Sequence, residues 1–484
     1  MSRLLTLWLI AALLCTGALA TSAKPPAKPR PAPPDSRPKL PPQVRVKEIE
    51  VKPSDRPGGK LESKSNDDLI QVAPRIRPLC PVRLGGIYTL GLGDGSADME
   101  ESAALGVKLS ADNQRWIAAN CDVIALNAVN ITPETFPAIV KAQRLFTPLL
   151  IASASALYER DDQRANVGGW KPEMAAWTLR DGSGNEIAHP APGGHWMDFA
   201  NPDWAAHWRD RALALTRQYS AQGVVATQLP LNNPFVGEDL ARYRTPEDRI
   251  TATTNWLRAA RAANRFFLIP AAMGFDLPAG HTTLVTPPGT EEPNLPGRLW
   301  DDYFGLIDGA WDEGWVYSYR DDVPQPENLW EIALEAADRA GRNGQVFIAC
   351  AAYHNDVELE YDLASYLLIV HNQGRCVFQP MPLLPDERRD AGFSLAVLRK
   401  QVSAKSAYFN VPLGVAVQER HLVPAEGGTV WRRVFQGGVV YVNSDAQRGR
   451  TILLGGEMQR VTGARVRKVD LPPQSGVILL FPTK

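Results

Sequence analysis

Residues 195–228 read HWMDFANPDWAAHWRDRALALTRQYSAQGVVATQ, and this stretch decides the fold. Its start, His195-Trp196-Met197-Asp198-Phe199, is a short run of strand-forming residues that stops at Asn201-Pro202, so it predicts a strand over residues 195–199. Asn201 then offers a capping side chain ahead of a proline in the first helical turn. Trp204, Trp208, Ala212, Leu213 and Leu215 fall roughly on one face of a helix over residues 204–219. Gly223-Val224-Val225-Ala226-Thr227 supplies a second strand. Strand, helix and strand in that order form the unit from which parallel sheets are built.

The same rhythm extends in both directions. Further strands are expected over residues 86–90, 122–126, 146–151, 266–270, 307–313 and 346–350, with a second clear helix over 328–340 that stops before Gly341. Eight strands with intervening helices predict an α/β fold, a (β/α)8 TIM barrel over residues 80–405. An open doubly wound sheet is the alternative. It would carry a glycine-rich phosphate loop after its first strand, and Gly91-Leu92-Gly93-Asp94-Gly95 lacks the G-x-G-x-x-G spacing. Beyond about Asn410 helices give way to strands at 430–435, 439–443, 451–454, 465–469 and 477–481, separated by Gly, Pro and Ser turns. They predict a small all-β C-terminal domain over residues 410–484, of β-sandwich type.

The N-terminal end has a different texture. Arg3, an apolar run over residues 4–14 and Ala18-Leu19-Ala20 make a signal-peptide pattern over residues 1–20. Cys15 lacks the small residue that precedes a lipid-modified cysteine, because Leu13 and Leu14 stand there. Export is therefore expected, to the outside or to the periplasm and cell envelope. Residues 24–57 are dense in Pro and Lys, which favours extended backbone, and residues 21–75 read as a disordered tether. No later apolar run matches the roughly 20 residues of a membrane-spanning helix, so no transmembrane segment is expected in the mature chain.

With 52 Lys+Arg against 53 Asp+Glu, the net charge of -1 argues against nucleic acid as a partner. Cys80, Cys121, Cys350 and Cys376 remain after the leader. Four cysteines allow three pairings, and buried free thiols fit equally well. None stands at metal-ligand spacing, and His195 and His207 are poorly placed to join Asp198 on a metal, so no metal and no cofactor is expected.

In a barrel, residues at the C-terminal ends of the strands share one mouth. Asp198 ends the strand over 195–199, and Glu313 closes Asp308-Gly309-Ala310-Trp311-Asp312-Glu313-Gly314-Trp315. Strand alternation sends Asp312 and Glu313 to opposite faces, so one of the two looks into the mouth. Paired carboxyls suit glycoside hydrolysis: one protonates the leaving oxygen while the other acts as nucleophile or base. Trp196 beside Asp198 would supply an apolar wall that keeps an acid protonated. The bland reading of each is local, Asp198 as a cap or ion-pair partner and Glu313 as a surface acid beside an arginine. Tyr88, Asn127, Tyr158, Trp196, Gln228, Trp315, Tyr353 and His354 are candidates for holding a carbohydrate, rings stacking on sugar faces and polar groups bonding hydroxyls.

Four segments carry a resemblance: WMDFANP (196–202), QGVVATQ (222–228), IDGAWDEGW (307–315) and LPPQSGVILL (471–480). They resemble glycoside-hydrolase-like barrels of the hypothetical glycosyl hydrolase family 15 type and, more distantly, polygalactosaminidase-like and melibiase-like enzymes. The resemblance covers residues 84–484. It implies a carbohydrate substrate, with Asp198 as the acid of strand four and Glu313 as that of strand seven. The chain departs from such barrels at the fifth strand, commonly Asp-Gly-Val-x-x-Asp, where Thr227 stands in place of the terminal acid. Glu238 or Asp239 on the following loop could substitute. Two functional expectations follow: an exported glycoside hydrolase, or a catalytically silent carbohydrate-binding barrel. A third is an envelope protein whose working part is the tether.

Overall fold

The computed structural model describes residues 81–88, 108–159, 168–189, 193–227, 242, 246–261, 266–271, 305–312, 314–318, 323–371, 375–383 and 394–482. The expected leader and tether lie outside the described residues. The strands in chain order are β1 (Leu84–Ile87), β2 (Cys121–Leu126), β3 (Thr147–Ser153), β4 (Ala156–Tyr158), β5 (Gly194–Trp196), β6 (Gly223–Thr227), β7 (Phe266–Ala271), β8 (Gly309–Asp312), β9 (Tyr317–Ser318), β10 (Val323–Pro324), β11 (Val346–Tyr353) and β12 (Arg375–Pro382). Eight of them close a parallel barrel in the order β1-β12-β11-β8-β7-β6-β3-β2. The (β/α)8 expectation is therefore correct, although one expected strand lies outside the barrel and one barrel strand was not expected.

β2 and β11 are buried on both faces, which is why they read as the continuous apolar runs CDVIAL and VFIACAAY. Ile87, Val123, Leu149, Val225, Trp311, Ile348 and Met381 belong to the interior cluster. The opposite faces pack on the helices, where Trp204, Trp208, Trp256 and Trp330 are fully buried. The indole N–H groups of Trp204 and Trp208 donate to the carbonyls of Ala154 and Ser153, tying the helix Pro202–Gln218 to the end of β3.

The predicted strand over residues 195–199 is not a barrel strand. Gly194–Trp196 pairs antiparallel with Ala156–Tyr158, forming a hairpin in an excursion between β3 and the helix Pro202–Gln218. The local strand reading was sound, but its pairing partner is β4 of the excursion, and in the barrel β3 pairs directly with β6. β6 is consequently the fourth barrel strand, and β8 the sixth.

The strand missed in the sequence is β12, RCVFQPMP, whose Pro380 and Pro382 argue against a central strand. Its register shows how the prolines are accommodated. The Phe378 N–H donates to Arg83 O across the seam with β1, while the Leu383 N–H donates to Tyr353 O on the β11 side. Alternation then turns positions 380 and 382 toward β1, where their missing N–H groups would have bonded. The Gln379 side chain replaces part of that ladder: its Nε2 donates to Ile87 O at 2.8 Å, and its Oε1 accepts the Ile87 N–H at 3.0 Å. Gly86, with φ +151°, makes room, because a Cβ there would lie 2.4 Å from the Gln379 amide.

Six antiparallel strands follow: β13 (His421–Ala425), β14 (Gly428–Phe435), β15 (Gly438–Asn443), β16 (Arg450–Arg460), β17 (Arg465–Leu471) and β18 (Ser475–Leu480). They form one sheet in the order β13-β14-β15-β18-β16-β17, rather than the two stacked sheets of a sandwich. Val439, Tyr441, Val477 and Leu479 line its own core, whereas Val440, Val442 and Ile478 join the barrel's outer layer. Between barrel and sheet runs the helix Asp356–Ile369, buried at every residue from Leu359 to Ile369. Arg433 of β14 donates to the carbonyls of Leu367 and Leu368 at 3.1 and 2.8 Å, capping the C-terminal end of that helix. At its other end, the Ile478 N–H donates to Glu360 Oε1 at 3.0 Å.

No helix among the described residues is long and apolar enough to cross a membrane. Cys121, Cys350 and Cys376 are buried as thiols, and Cys80 lies outside the described residues.

Candidate functional site at the barrel rim

The excursion that carries Asp198 is anchored over the ends of β3 and β6. The Ala154 N–H donates to Thr227 O at 2.7 Å, and the Met197 N–H donates to Ser155 O at 2.7 Å. Asp198 thus reaches the rim from this excursion, not from the end of a barrel strand. It is 7% exposed. Its Oδ1 accepts the Ala200 N–H at 3.0 Å, and its Oδ2 lies 3.2 Å from Arg242 Nη1. The local roles foreseen for it, turn cap and ion-pair partner, are both present. Thr227 ends β6, so the position lacking an acid belongs to the fourth barrel strand. Glu313, Gln228, Glu238 and Asp239 lie outside the described residues. The neighbour of Glu313, Asp312, ends β8 fully buried and accepts the Gly314 N–H at 3.2 Å.

Most of the aromatic candidates are structural. Tyr88 is fully buried in the layer beneath the helices, and its hydroxyl donates to Gly85 O at 3.3 Å. Burial, with Cys121, Cys350 and Tyr353 nearby, pushes its phenol well above the ordinary range. Trp315 is completely buried, its indole N–H directed to Ala333 O at 3.4 Å on the helix Glu327–Arg342. It is no platform for a sugar. Trp196 is 7% exposed and packs on His189, with ring centroids 4.3 Å apart. The Tyr353 hydroxyl donates to Gln401 Oε1 at 3.3 Å, on the helix side of β11, and burial raises its pKa. Tyr158 is buried in the excursion, edge-on to His189. Asn127, half-buried after β2, spends its Oδ1 on the Val129 N–H at 3.2 Å.

His195 stacks on Trp170 with centroids 4.0 Å apart, and its Nδ1 lies 2.7 Å from Glu186 Oε1. His207 sits between Trp177 and Trp204. Among the described residues, no group of three or more His, Cys, Asp or Glu side chains is placed to hold a metal ion.

His354 is the candidate that the structure places at the rim. Val346, Ile348, Cys350 and Ala352 of β11 face the interior, and the period of two carries on to His354. Its ring meets Tyr317 edge-on with centroids 5.9 Å apart, and Tyr317 itself belongs to the interior cluster. Glu358 Oε2 accepts both the His354 backbone N–H at 2.7 Å and Nδ1 at 3.0 Å, and Oε1 accepts Asn355 Nδ2 at 2.9 Å. Asn355 Oδ1 caps the helix by accepting the N–H groups of Val357 and Glu358.

Glu358 and Tyr317 were not singled out in the sequence. Asn355-x-x-Glu358 does carry the spacing of a capping box, a signal that could have drawn attention to the glutamate. Tyr317 lies beyond the expected end of its strand and offered none.

No family model and no curated protein matches the chain. Among solved structures it is similar to the glycoside hydrolase domain of PelA from Pseudomonas aeruginosa, at 14% identity and a TM-score of 0.36, covering 62% of this chain and 94% of that one. It is similar to an α-amylase from Geobacillus thermoleovorans at 11% identity and a TM-score of 0.43, covering 82% of this chain and 98% of that one. Ega3 from Aspergillus fumigatus, in complex with galactosamine, overlaps at 12% identity and a TM-score of 0.34, covering 64% of this chain and 93% of that one. These are distant likenesses, and they assign no role to any residue of this chain.

Proposed function

We propose that the chain is a glycoside hydrolase acting on a poly- or oligosaccharide, with Asp198 and Glu313 as its paired carboxyls. One observation carries this reading: a closed parallel barrel gathers ionisable side chains at the C-terminal ends of its strands, where barrel enzymes work. Glu358 and His354 stand after the seventh strand, and Asp198 is held over the third and fourth. Glu313 is the next residue in the chain after the sixth strand ends at Asp312. In the proposed reaction one carboxyl gives its proton to the leaving glycosidic oxygen, while the other attacks the sugar or activates a water. Export through the leader read in residues 1–20 belongs to the same proposal.

The test is a glycan screen followed by measurement of reducing ends released by wild type, Asp198→Asn and Glu313→Gln. Release by wild type with a large loss in both variants supports hydrolysis. A second reading, a carbohydrate-binding barrel without turnover, draws on the engagement of Asp198 with Arg242 and Ala200 and on Thr227 at the end of β6. Binding without release, unchanged in both variants, would select it.

A further inference from the structure

The contacts around His354 go beyond holding a ligand. We infer that His354 is an acid–base group of the rim, positioned by Glu358 so that its Nε2 exchanges a proton with a bound hydroxyl or water. An ionised carboxylate has no hydrogen to give, so the ring nitrogen 3.0 Å from Glu358 Oε2 must carry one. In the neutral ring this leaves the lone pair on Nε2.

The carboxylate is itself fixed. Its Oε2 also takes the His354 backbone N–H, and its Oε1 takes the Asn355 amide. Helix capping alone does not call for the ring contact, because Asn355 Oδ1 already serves the first N–H groups of the helix. The Tyr317 hydroxyl, from β9, lies 3.4 Å from the same Nδ1, farther than the carboxylate, and its ring meets the imidazole edge-on. The His354 side chain is 38% exposed, enough for a ligand to reach it.

In the transfer, the O–H bond of the hydroxyl breaks as the Nε2–H bond forms. The bonding pair stays on oxygen, and the imidazolium charge faces the Glu358 carboxylate. The same proton returns to a leaving oxygen in the reverse step. The inference rests on the carbohydrate reading only for the nature of the hydroxyl.

The experiment is long-range ¹H–¹⁵N correlation spectroscopy of the imidazole rings in the full chain near neutral pH, with the His354 signals assigned by their loss in His354→Gln. The expected result is an Nδ1–H tautomer for His354, shifting toward Nε2–H in Glu358→Ala and retained in Glu358→Gln, which keeps an acceptor. An Nε2–H tautomer in wild type, or an Nδ1–H tautomer indifferent to Glu358→Ala, overturns the inference. On any glycan that wild type hydrolyses, His354→Gln should lower kcat about a hundredfold with KM little changed. An unchanged kcat overturns it as well. The ring measurement needs no substrate, so a failure of glycan hydrolysis counts against the hydrolase reading and leaves the tautomer to decide this one.

Discussion

Replacing Gln379 with methionine should open the barrel along one seam. Gln379 is completely buried, and its amide makes two hydrogen bonds to the backbone of Ile87, at 2.8 and 3.0 Å. Methionine fills a similar volume but bonds neither group. The Ile87 N–H and C=O then lose their partner inside the barrel wall. Each buried backbone group left unpaired costs about 1–3 kcal/mol, so Gln379→Met should cost about 2–6 kcal/mol. The neighbouring positions cannot take over, because Pro380 and Pro382 have no N–H to offer β1. Urea unfolding of the full chain measures the loss, and amide exchange places it: the Ile87 N–H should exchange faster while the β15–β18 ladder of the C-terminal sheet keeps its protection. Gly86→Ala should act on the same seam, since its Cβ would meet the Gln379 amide at 2.4 Å with φ at +151°. A change below about 0.5 kcal/mol in Gln379→Met, with Ile87 protection intact, would refute the claim that this side chain completes the ladder.

Asp362 is fully buried in the helix Asp356–Ile369, and neither carboxyl oxygen has a hydrogen-bond partner among the described residues. Burial first, and the Glu358 charge second, raise its pKa well above the ordinary 3.8. A folded-state pKa raised above the unfolded one means that this site favours folding most below pH 3.8 and loses that contribution as pH rises. Keeping it protonated as the pH climbs above 3.8 works against folding, and that cost grows with pH. Asp362→Asn should therefore stabilise the chain near neutral pH and give little gain near pH 4, as urea unfolding at the two pH values would show; equal gains at both would contradict the reading. Arg433→Met removes two charge-assisted bonds to the end of the same helix. It should cost about 2–4 kcal/mol and speed exchange of the amides in residues 366–369, as followed by hydrogen exchange. Asp198→Asn should change the melting temperature little, because its Arg242 partner is 59% exposed and exposed ion pairs contribute about 0–1 kcal/mol. A large drop in melting temperature would make Asp198 a structural residue first.

Much of the architecture was readable because helix and strand periods differ. The helix over residues 204–219 corresponds to Pro202–Gln218, and that over 328–340 to Glu327–Arg342. The two strand errors have separate physical causes. Residues 195–199 satisfy a strand pattern locally, yet only the fold reveals that the partner is a neighbouring hairpin strand and not the barrel. β12 violates a propensity rule at Pro380 and Pro382, and the compensation lies in the Gln379 side chain, a contact across 292 residues of chain that no local window contains.

The site was legible unevenly for the same reason. His354 could be expected near the rim because it follows a strand, and the strand's period of two fixes direction. Trp315 and Tyr353 look alike in sequence, but burial against Ala333 and Gln401 turned them into framework. Glu358 reads as a helix cap until its second contact, to the His354 ring, is seen.

A carbohydrate cleaved at the C-terminal rim of the barrel would have to sit between the proposed carboxyls. A crystal structure of Glu313→Gln with a bound oligosaccharide would reveal whether it does. The expected result is a sugar seated at the rim beside His354, with the Asp198 carboxyl and the residue 313 side chain on either side of one glycosidic bond, about 5–9.5 Å apart. A sugar bound on the C-terminal sheet, or at a rim from which either side chain is turned away, would contradict it.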